Sequence, residues 1–242
     1  MRKFILILAL QLFAIPALCQ KGKTKFGFQF KPIVPNRLIG FYEQPFNKDQ
    51  FESTVTQKFG FSGGMRLRVG LSDRLALESG INYNQRNYNL NFAVPDSGYT
   101  GINDVGIVSY EIPLSFMVFI RLSDDIFMNT SVGPALTFFP SDVRTYTPIG
   151  ANERFQQEGA YRSKAQGALN ANVGFEWRNK NAGTFYLGGS YHLPFAPIMT
   201  FAMSYEYNVT QNVVVRQNIS GSYLTIDLRY YLPESKESKA EN

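Results

Sequence analysis

Hydrophobic and polar residues alternate with a period of two over most of this chain. From Phe59 the odd positions read Phe59, Phe61, Met65, Leu67, Val69 and Leu71, separated by Gly60, Ser62, Arg66, Arg68 and Gly70. A second odd run holds Leu75, Leu77, Ile81 and Tyr83, opposite Ala76, Glu78, Gly80 and Asn82. Even positions take over from Val108 through Tyr110, Ile112, Leu114, Phe116, Val118, Ile120 and Leu122, with Ser109, Glu111, Ser115 and Arg121 between, and continue in Met128, Val132, Leu136 and Phe138. The odd set returns in Leu169, Ala171, Val173, Phe175 and Trp177, opposite Asn170, Asn172, Glu176 and Arg178, and again in Phe185, Leu187, Tyr191 and Leu193. The last run is Leu224, Ile226, Leu228, Tyr230 and Leu232 around Thr225, Asp227 and Arg229, and a short first run is Phe26, Phe28 and Phe30. Alternation of this kind predicts strands with one apolar face. Eight such strands are predicted, several longer than the roughly 5–6 residues common in soluble sheets.

The predicted connections fall into two classes. Short ones follow the second, fourth and sixth strands, at Ser72-Asp73-Arg74, Ser123-Asp124-Asp125 and around Lys180-Asn181-Ala182. Long ones follow the other strands, at about 34–56, 89–105, 140–163 and 196–218. This is the loop pattern of a membrane barrel with tight turns at one end. Register supports it, because directly opposed residues of an antiparallel pair face the same side. If Leu71 opposes Leu75, odd residues meet odd ones across the turn, and Leu122 opposing Ile126 does the same for even ones. That register sets Arg68 opposite Glu78 on the polar face. Pro113 and Pro134 fall beside each other, and each removes a ladder bond, so a local bulge is expected there. The predicted fold is all-β: a single closed antiparallel transmembrane β-barrel of about eight strands, up-and-down in topology.

The polar face carries Arg66, Arg68, Glu78, Glu111, Arg121, Glu176, Arg178, Asp227 and Arg229. A barrel of about eight strands has an interior only wide enough for side chains, so this charge set is expected to be a salt-bridged plug. Trp177, Phe185 and Tyr230 cluster toward the short turns, and Phe59, Tyr83, Tyr110 and Phe138 toward the long loops, as two interfacial aromatic girdles would. His192, the only histidine, follows Ser190 on a polar face. A Ser–His pair invites a hydrolase reading, but no nucleophile elbow accompanies it, and the expected role is a lumen pair satisfied by Asn170, Asn172 and water. The long segments hold Tyr42, Phe46, Phe51, Tyr146, Phe155 and Tyr161, and 196–218 is apolar enough (Ile198, Phe201, Met203, Tyr205) to extend the strands.

The opening residues add an address. Arg2 and Lys3 precede an apolar stretch broken at Pro16, and Ala17 and Cys19 are small residues placed for cleavage after Cys19. Residues 1–19 read as a secretory signal, 20–232 as the barrel and 233–242 as a disordered periplasmic tail. Cys19 is the only cysteine, so disulfides and thiolate metal sites are excluded from the mature chain. The formal charge of +5 falls to +3 without Arg2 and Lys3, too little and too scattered for nucleic acid. No motif implies a cofactor, a metal or a catalytic residue.

The runs Tyr110-Glu-Ile-Pro-Leu114, Ser131-Val-Gly-Pro-Ala135 and Tyr223-Leu-Thr-Ile-Asp-Leu-Arg-Tyr-Tyr-Leu232 resemble the PorT-like outer-membrane barrel domain of Bacteroidota. The resemblance spans nearly the whole mature chain and marks the barrel rather than an activity; some members of that family are linked to protein secretion. It implies a cell outer-membrane location, contact with outer-membrane lipid, and a non-enzymatic structural or partner-binding subunit of an envelope complex, in secretion or outer-membrane assembly. The alternatives are a small outer-membrane enzyme acting on lipid or peptide, and a narrow pore.

Overall fold

A computed structural model describes residues 24–35, 43–48, 51–95, 98–140, 143–150, 153–207 and 211–233. The expected signal (1–19) and all of the tail beyond Pro233 lie outside the described residues. Thirteen strands follow one another: β1 (Thr24–Val34), β2 (Glu43–Lys48), β3 (Phe51–Gly70), β4 (Leu75–Val94), β5 (Tyr99–Arg121), β6 (Ile126–Phe138), β7 (Val143–Gly150), β8 (Glu153–Tyr161), β9 (Ala165–Asn179), β10 (Gly183–Pro194), β11 (Met199–Tyr207), β12 (Gln211–Ile219) and β13 (Tyr223–Tyr231).

Eight of them, antiparallel throughout, close a ring in the order β1-β13-β10-β9-β6-β5-β4-β3, with β3 pairing back onto β1. Closure leaves the wall no edge strand. The turn register is the predicted one. The Leu71 amide donates to the Leu75 carbonyl at 2.9 Å and that of Leu122 to Ile126 at 3.0 Å, and Arg68 stands opposite Glu78.

Over their described residues, the four long connections are largely strand. Segment 89–105 is strand from both sides, since β4 runs to Val94 and β5 starts at Tyr99. The segment predicted at 34–56 holds β2 and the start of β3, and the last two hold the hairpins β7–β8 and β11–β12, which join into a four-stranded sheet ordered β12-β11-β8-β7. The bulge expected at the two prolines is also absent. Pro113 pairs with Ala135 and Phe116 with Val132 in one unbroken register. A proline costs its ladder bond without requiring an extra residue, and the strands lie so close here that a Cβ on Gly133 would sit 1.9 Å from the Leu114 carbonyl oxygen. The register shift in the barrel wall lies instead between Lys58 and Phe61 of β3.

Along single unbroken strands, the apolar face changes sides. In the lower half of β4, Leu75, Leu77, Ile81 and Tyr83 point out of the barrel while Glu78, Asn82, Asn84 and Arg86 are buried inside. From the next inward position on, the inward residues are Tyr88, Leu90 and Phe92, all buried, and the outward ones Asn87, Asn89 and Asn91. Strand β5 inverts at the same height, from inward Ser109 and Glu111 to inward Ile107 and Val105. The β3 bulge keeps this strand in step, burying Arg66 and Arg68 below it and Val55 and Gln57 above it. The upper apolar positions meet Met199, Phe201 and Met203 of β11 and Ile219 of β12 in one hydrophobic core. The molecule is therefore inside-out at its turn end and conventionally packed at the other.

Candidate functional site: the enclosed lumen

Inward side chains of the ring stack into layers. At the turn end Ala76, Met117 and Phe119 form a small apolar plug with Phe127 against it. The Arg178 guanidinium caps this plug, 3.9 Å from the Phe127 ring centroid and 4.7 Å from that of Phe119, a cation–π arrangement.

Above it lie the carboxylates. Glu176 accepts from Arg68 Nη1 and Arg178 Nε, both at 2.6 Å. Glu78 accepts from Arg68 Nε and Arg229 Nη1, both at 3.0 Å, and from the Tyr231 hydroxyl at 2.5 Å, while Arg66 Nη1 lies 3.7 Å away. Asp227 takes Arg229 Nη2 at 2.6 Å, Lys31 Nζ at 3.1 Å, and the Ser190 and Thr225 hydroxyls at 2.5 Å each. Glu111 accepts from Asn82 at 3.0 Å and Asn170 at 3.2 Å, and its other oxygen lies 3.0 Å from His192 Nδ1. At the top, Arg86 donates to the Gly221 carbonyl at 2.9 Å, with the Phe139 and Tyr223 ring centroids each 5.5 Å from its guanidinium carbon.

Period two explains this convergence, since residues i and i+2 share a face. Glu176 with Arg178, and Asp227 with Arg229, are neighbours on one strand, and the ring then brings β3, β4, β9 and β13 across the lumen to each other. Seven of the nine predicted charges, Arg66, Arg68, Glu78, Glu111, Glu176, Asp227 and Arg229, are at most 5% exposed. Arg178 sits at the mouth, 29% exposed. Arg121 does not belong to the network. Its side chain is 63% exposed and bonds Asp124 at 2.5 Å and the Ser123 carbonyl at 3.2 Å. It has the inward parity, but it follows Phe119 past the apolar plug, where water and a turn carboxylate solvate a guanidinium better than rings do.

Lys31, Arg86, Gln29 and Tyr231 were not among the predicted charges and are enclosed with them. Lys31 was legible one step beyond Phe30, where the alternation of β1 simply continues. Ser190 and His192 do not form a dyad: the serine hydroxyl donates to Asp227, and His192 Nδ1 faces Asn170 Oδ1 at 2.7 Å and stacks on Tyr223 with ring centroids 4.5 Å apart. The outward aromatic residues fall into two rows. Trp177, Phe185 and Tyr230 run at 5.6 and 5.0 Å between centroids, and Tyr83 and Tyr110 join Phe61 at 5.8 and 5.9 Å, with Phe138 paired to Tyr110 and Phe59 outward and 70% exposed beyond them. Outside that band, Lys58 and Asn89 donate to Asp104 at 2.8 Å each, and the Lys58 hydrogen bond first and that of Asn89 second hold its carboxyl below the usual aspartate range. Of the aromatic residues of the long segments, Tyr161 packs against the upper core, Phe46, Phe51, Tyr146 and Phe155 lie in β2, β3, β7 and β8, and Tyr42 lies outside the described residues.

Chemically, the lumen is a cross-link. Among the described residues five enclosed cations (Lys31, Arg66, Arg68, Arg86, Arg229) meet four enclosed carboxylates (Glu78, Glu111, Glu176, Asp227). Rings of one sign line selective pores, whereas this near-balanced set ties opposite walls together. No group of three or more His, Cys, Asp or Glu side chains suited to a metal ion occurs among the described residues.

No protein-family model matches this chain, and no curated protein matches it. Among solved structures it is similar to the outer membrane protein OprG from Pseudomonas aeruginosa, with a TM-score of 0.51 over 87% of this chain and 96% of that one, at 10% sequence identity. At that identity the likeness concerns the fold.

Proposed function

We propose that this protein is an integral outer-membrane barrel that does not conduct and is not an enzyme, and that it anchors a folded outer cap as the partner-binding part of an envelope complex. The observation that carries this reading is the inversion of polarity along β3, β4 and β5. A strand whose apolar face turns from outside to inside between Arg86 and Tyr88 fits a solvent that changes from lipid to water at that height. Phe28, Met65, Leu67, Leu114, Phe116, Val132, Val173, Leu187 and Leu228 are all 42–57% exposed around the lower ring, an apolar belt no aqueous surface tolerates at this extent. The outer membrane protein OprG has a similar fold, which supports the location.

The plugged lumen supports the non-conducting part, and the interlocked hydroxyl of Ser190 supports the non-enzymatic one. The cap, the upper ends of β3, β4 and β5 with the four-stranded sheet, supports the partner-binding part, since an apolar core shared with β11 and β12 folds it above the bilayer. The resemblance to PorT-like barrels points to secretion or outer-membrane assembly as the setting. Two measurements test the proposal. In planar bilayers the reconstituted protein is expected to give no single-channel steps, and discrete openings would contradict a plugged lumen. Solubilised gently from native membranes, it is expected to migrate in a complex larger than the monomer, and a lone monomer would remove the partner-binding role.

A further inference from the structure

We infer that the upper edge of β5, from Thr100 to Val108, accepts an extended strand of the partner protein through main-chain hydrogen bonds. This rests on the partner-binding reading above and names its surface. The β5–β6 ladder reaches no higher than Tyr110 and Phe138, while β5 itself continues up to Tyr99 beside β4. Above that point no strand among the described residues pairs with the far edge of β5. Strand β7, the edge of the four-stranded sheet, ladders only with β8.

One hydrogen bond shows which groups that edge presents. The Phe119 amide donates to the Arg74 carbonyl at 2.8 Å, so this odd residue of β5 turns its N–H toward β4. The β4–β5 register keeps one offset from end to end, and successive residues of a strand turn their N–H and C=O to opposite sides. The odd residues therefore face β4 all the way up. The even ones face the other way, as Leu122 does in donating to the Ile126 carbonyl. Thr100, Ile102, Asp104, Gly106 and Val108 consequently hold a row of donors and acceptors toward the open edge, a template for one more strand.

The outward side chains of the same residues agree. Ile102 is 71% exposed, more than any other large apolar side chain among the described residues. Lipid does not account for it, because it stands above the aromatic row, level with Asn91 and next to Asp104 on the outer face. A side chain on Gly106 would meet Asn87 at 3.4 Å, an ordinary contact, so the packing of the barrel does not call for a bare backbone there. Asp104 is already held by Lys58 and Asn89 and sets no unpaired charge in the way. The occupant these features fit is an amphipathic strand with an apolar residue against Ile102, a polar one beside Asp104, and apolar residues inward beside Val105 and Ile107. A second copy of this chain does not fit. Copies inserted the same way up run their β5 strands in parallel, and a two-fold axis between them sets N–H against N–H.

The protein in lipid nanodiscs is titrated into a fluorescein-labelled peptide of alternating threonine and valine, followed by anisotropy. Saturable binding is expected, weakened about tenfold by Gly106→Pro and, independently, by Ile102→Pro, since each removes an amide from the open edge. Neither amide belongs to the β4 ladder, and proline is tolerated at such edge positions, so the urea midpoint of both variants should match the wild type. A large fall in both midpoints overturns the proposal, because it means that these amides are bonded within the fold. So does a peptide that leaves the wild type unbound, or that binds the variants as tightly. In native membranes Gly106→Pro is expected to release the partner as well. A complex that survives this substitution overturns the proposal and leaves the partner-binding reading standing, whereas a wild type that is itself monomeric removes both.

Discussion

Replacing Glu78 with alanine is expected to destabilise the barrel by about 3–5 kcal/mol, the usual cost of removing one partner from an enclosed ion pair. Glu78 is 1% exposed and receives Arg68, Arg229 and the Tyr231 hydroxyl, with Arg66 close by. Its loss takes a shared carboxylate from three enclosed guanidiniums, leaving Arg68 with Glu176, Arg229 with Asp227 and Arg66 with the Gln29 amide oxygen, and the apolar layers of Phe119 and Met117 below and of the upper core above keep water from replacing it. The effect is to be read as a shift of the urea unfolding midpoint in vesicles, followed by Trp177 fluorescence. Arg121→Ala is the matched control. Its pair with Asp124 is exposed on both sides, and such pairs contribute about 0–1 kcal/mol. Equal shifts for the two variants would mean that the lumen is open to water.

The second large effect lies on the other face. Met65 stands midway along the outward run of β3, between Phe59 and Leu71, and is 52% exposed. In a soluble protein an arginine there would cost almost nothing. At the middle of a bilayer it costs about 2–4 kcal/mol, falling to about 0–1 near the interface. Met65→Arg is therefore expected to lower the unfolding free energy in vesicles by about 2–4 kcal/mol and Phe59→Arg by about 1 kcal/mol or less. Two variants of equal, negligible cost would contradict burial of this face in lipid.

How much of this was legible in the sequence depended on which solvent the outer face met. Where lipid lies outside and charge inside, the contrast between neighbours is large. Runs such as Leu75–Tyr83 and Tyr110–Leu122 therefore declared both their strand and its register, down to Arg68 facing Glu78. Above the girdle β4 continues as Gln85-Arg86-Asn87-Tyr88-Asn89-Leu90-Asn91-Phe92, still alternating but with the sides exchanged. Read for a membrane strand, that stretch looked like the start of a loop. It is strand because Tyr88, Leu90 and Phe92 have a core to enter, supplied by β11 and β12 from more than a hundred residues away. Only the apolar character of 198–203 signalled that partner in advance.

The lumen was legible as a charge set but not as a pattern of contacts. Strand parity places Glu176, Asp227 and Glu78 inward, and it cannot say that Arg229 reaches two of them or that Tyr231, beside the outward Tyr230, turns in to donate to Glu78. Those distances follow from closure of the ring, which sets β13 against both β1 and β10. Parity also fails at strand ends, as Arg121 shows: a side chain just past the apolar plug goes to water whichever way its strand faces.

Site-directed spin labelling of the vesicle-inserted protein tests the arrangement most directly. With single labels at Leu67, Leu114 and Val173, collision with dissolved oxygen is expected to be high and collision with a water-soluble nickel chelate low. Labels at Asn89 and Asn91, on the same outward face of β4 above the inversion, are expected to show the reverse. If Leu67, Leu114 and Val173 met the nickel chelate as freely as Asn91 does, the apolar belt would lie in water, and the inside-out barrel would be contradicted.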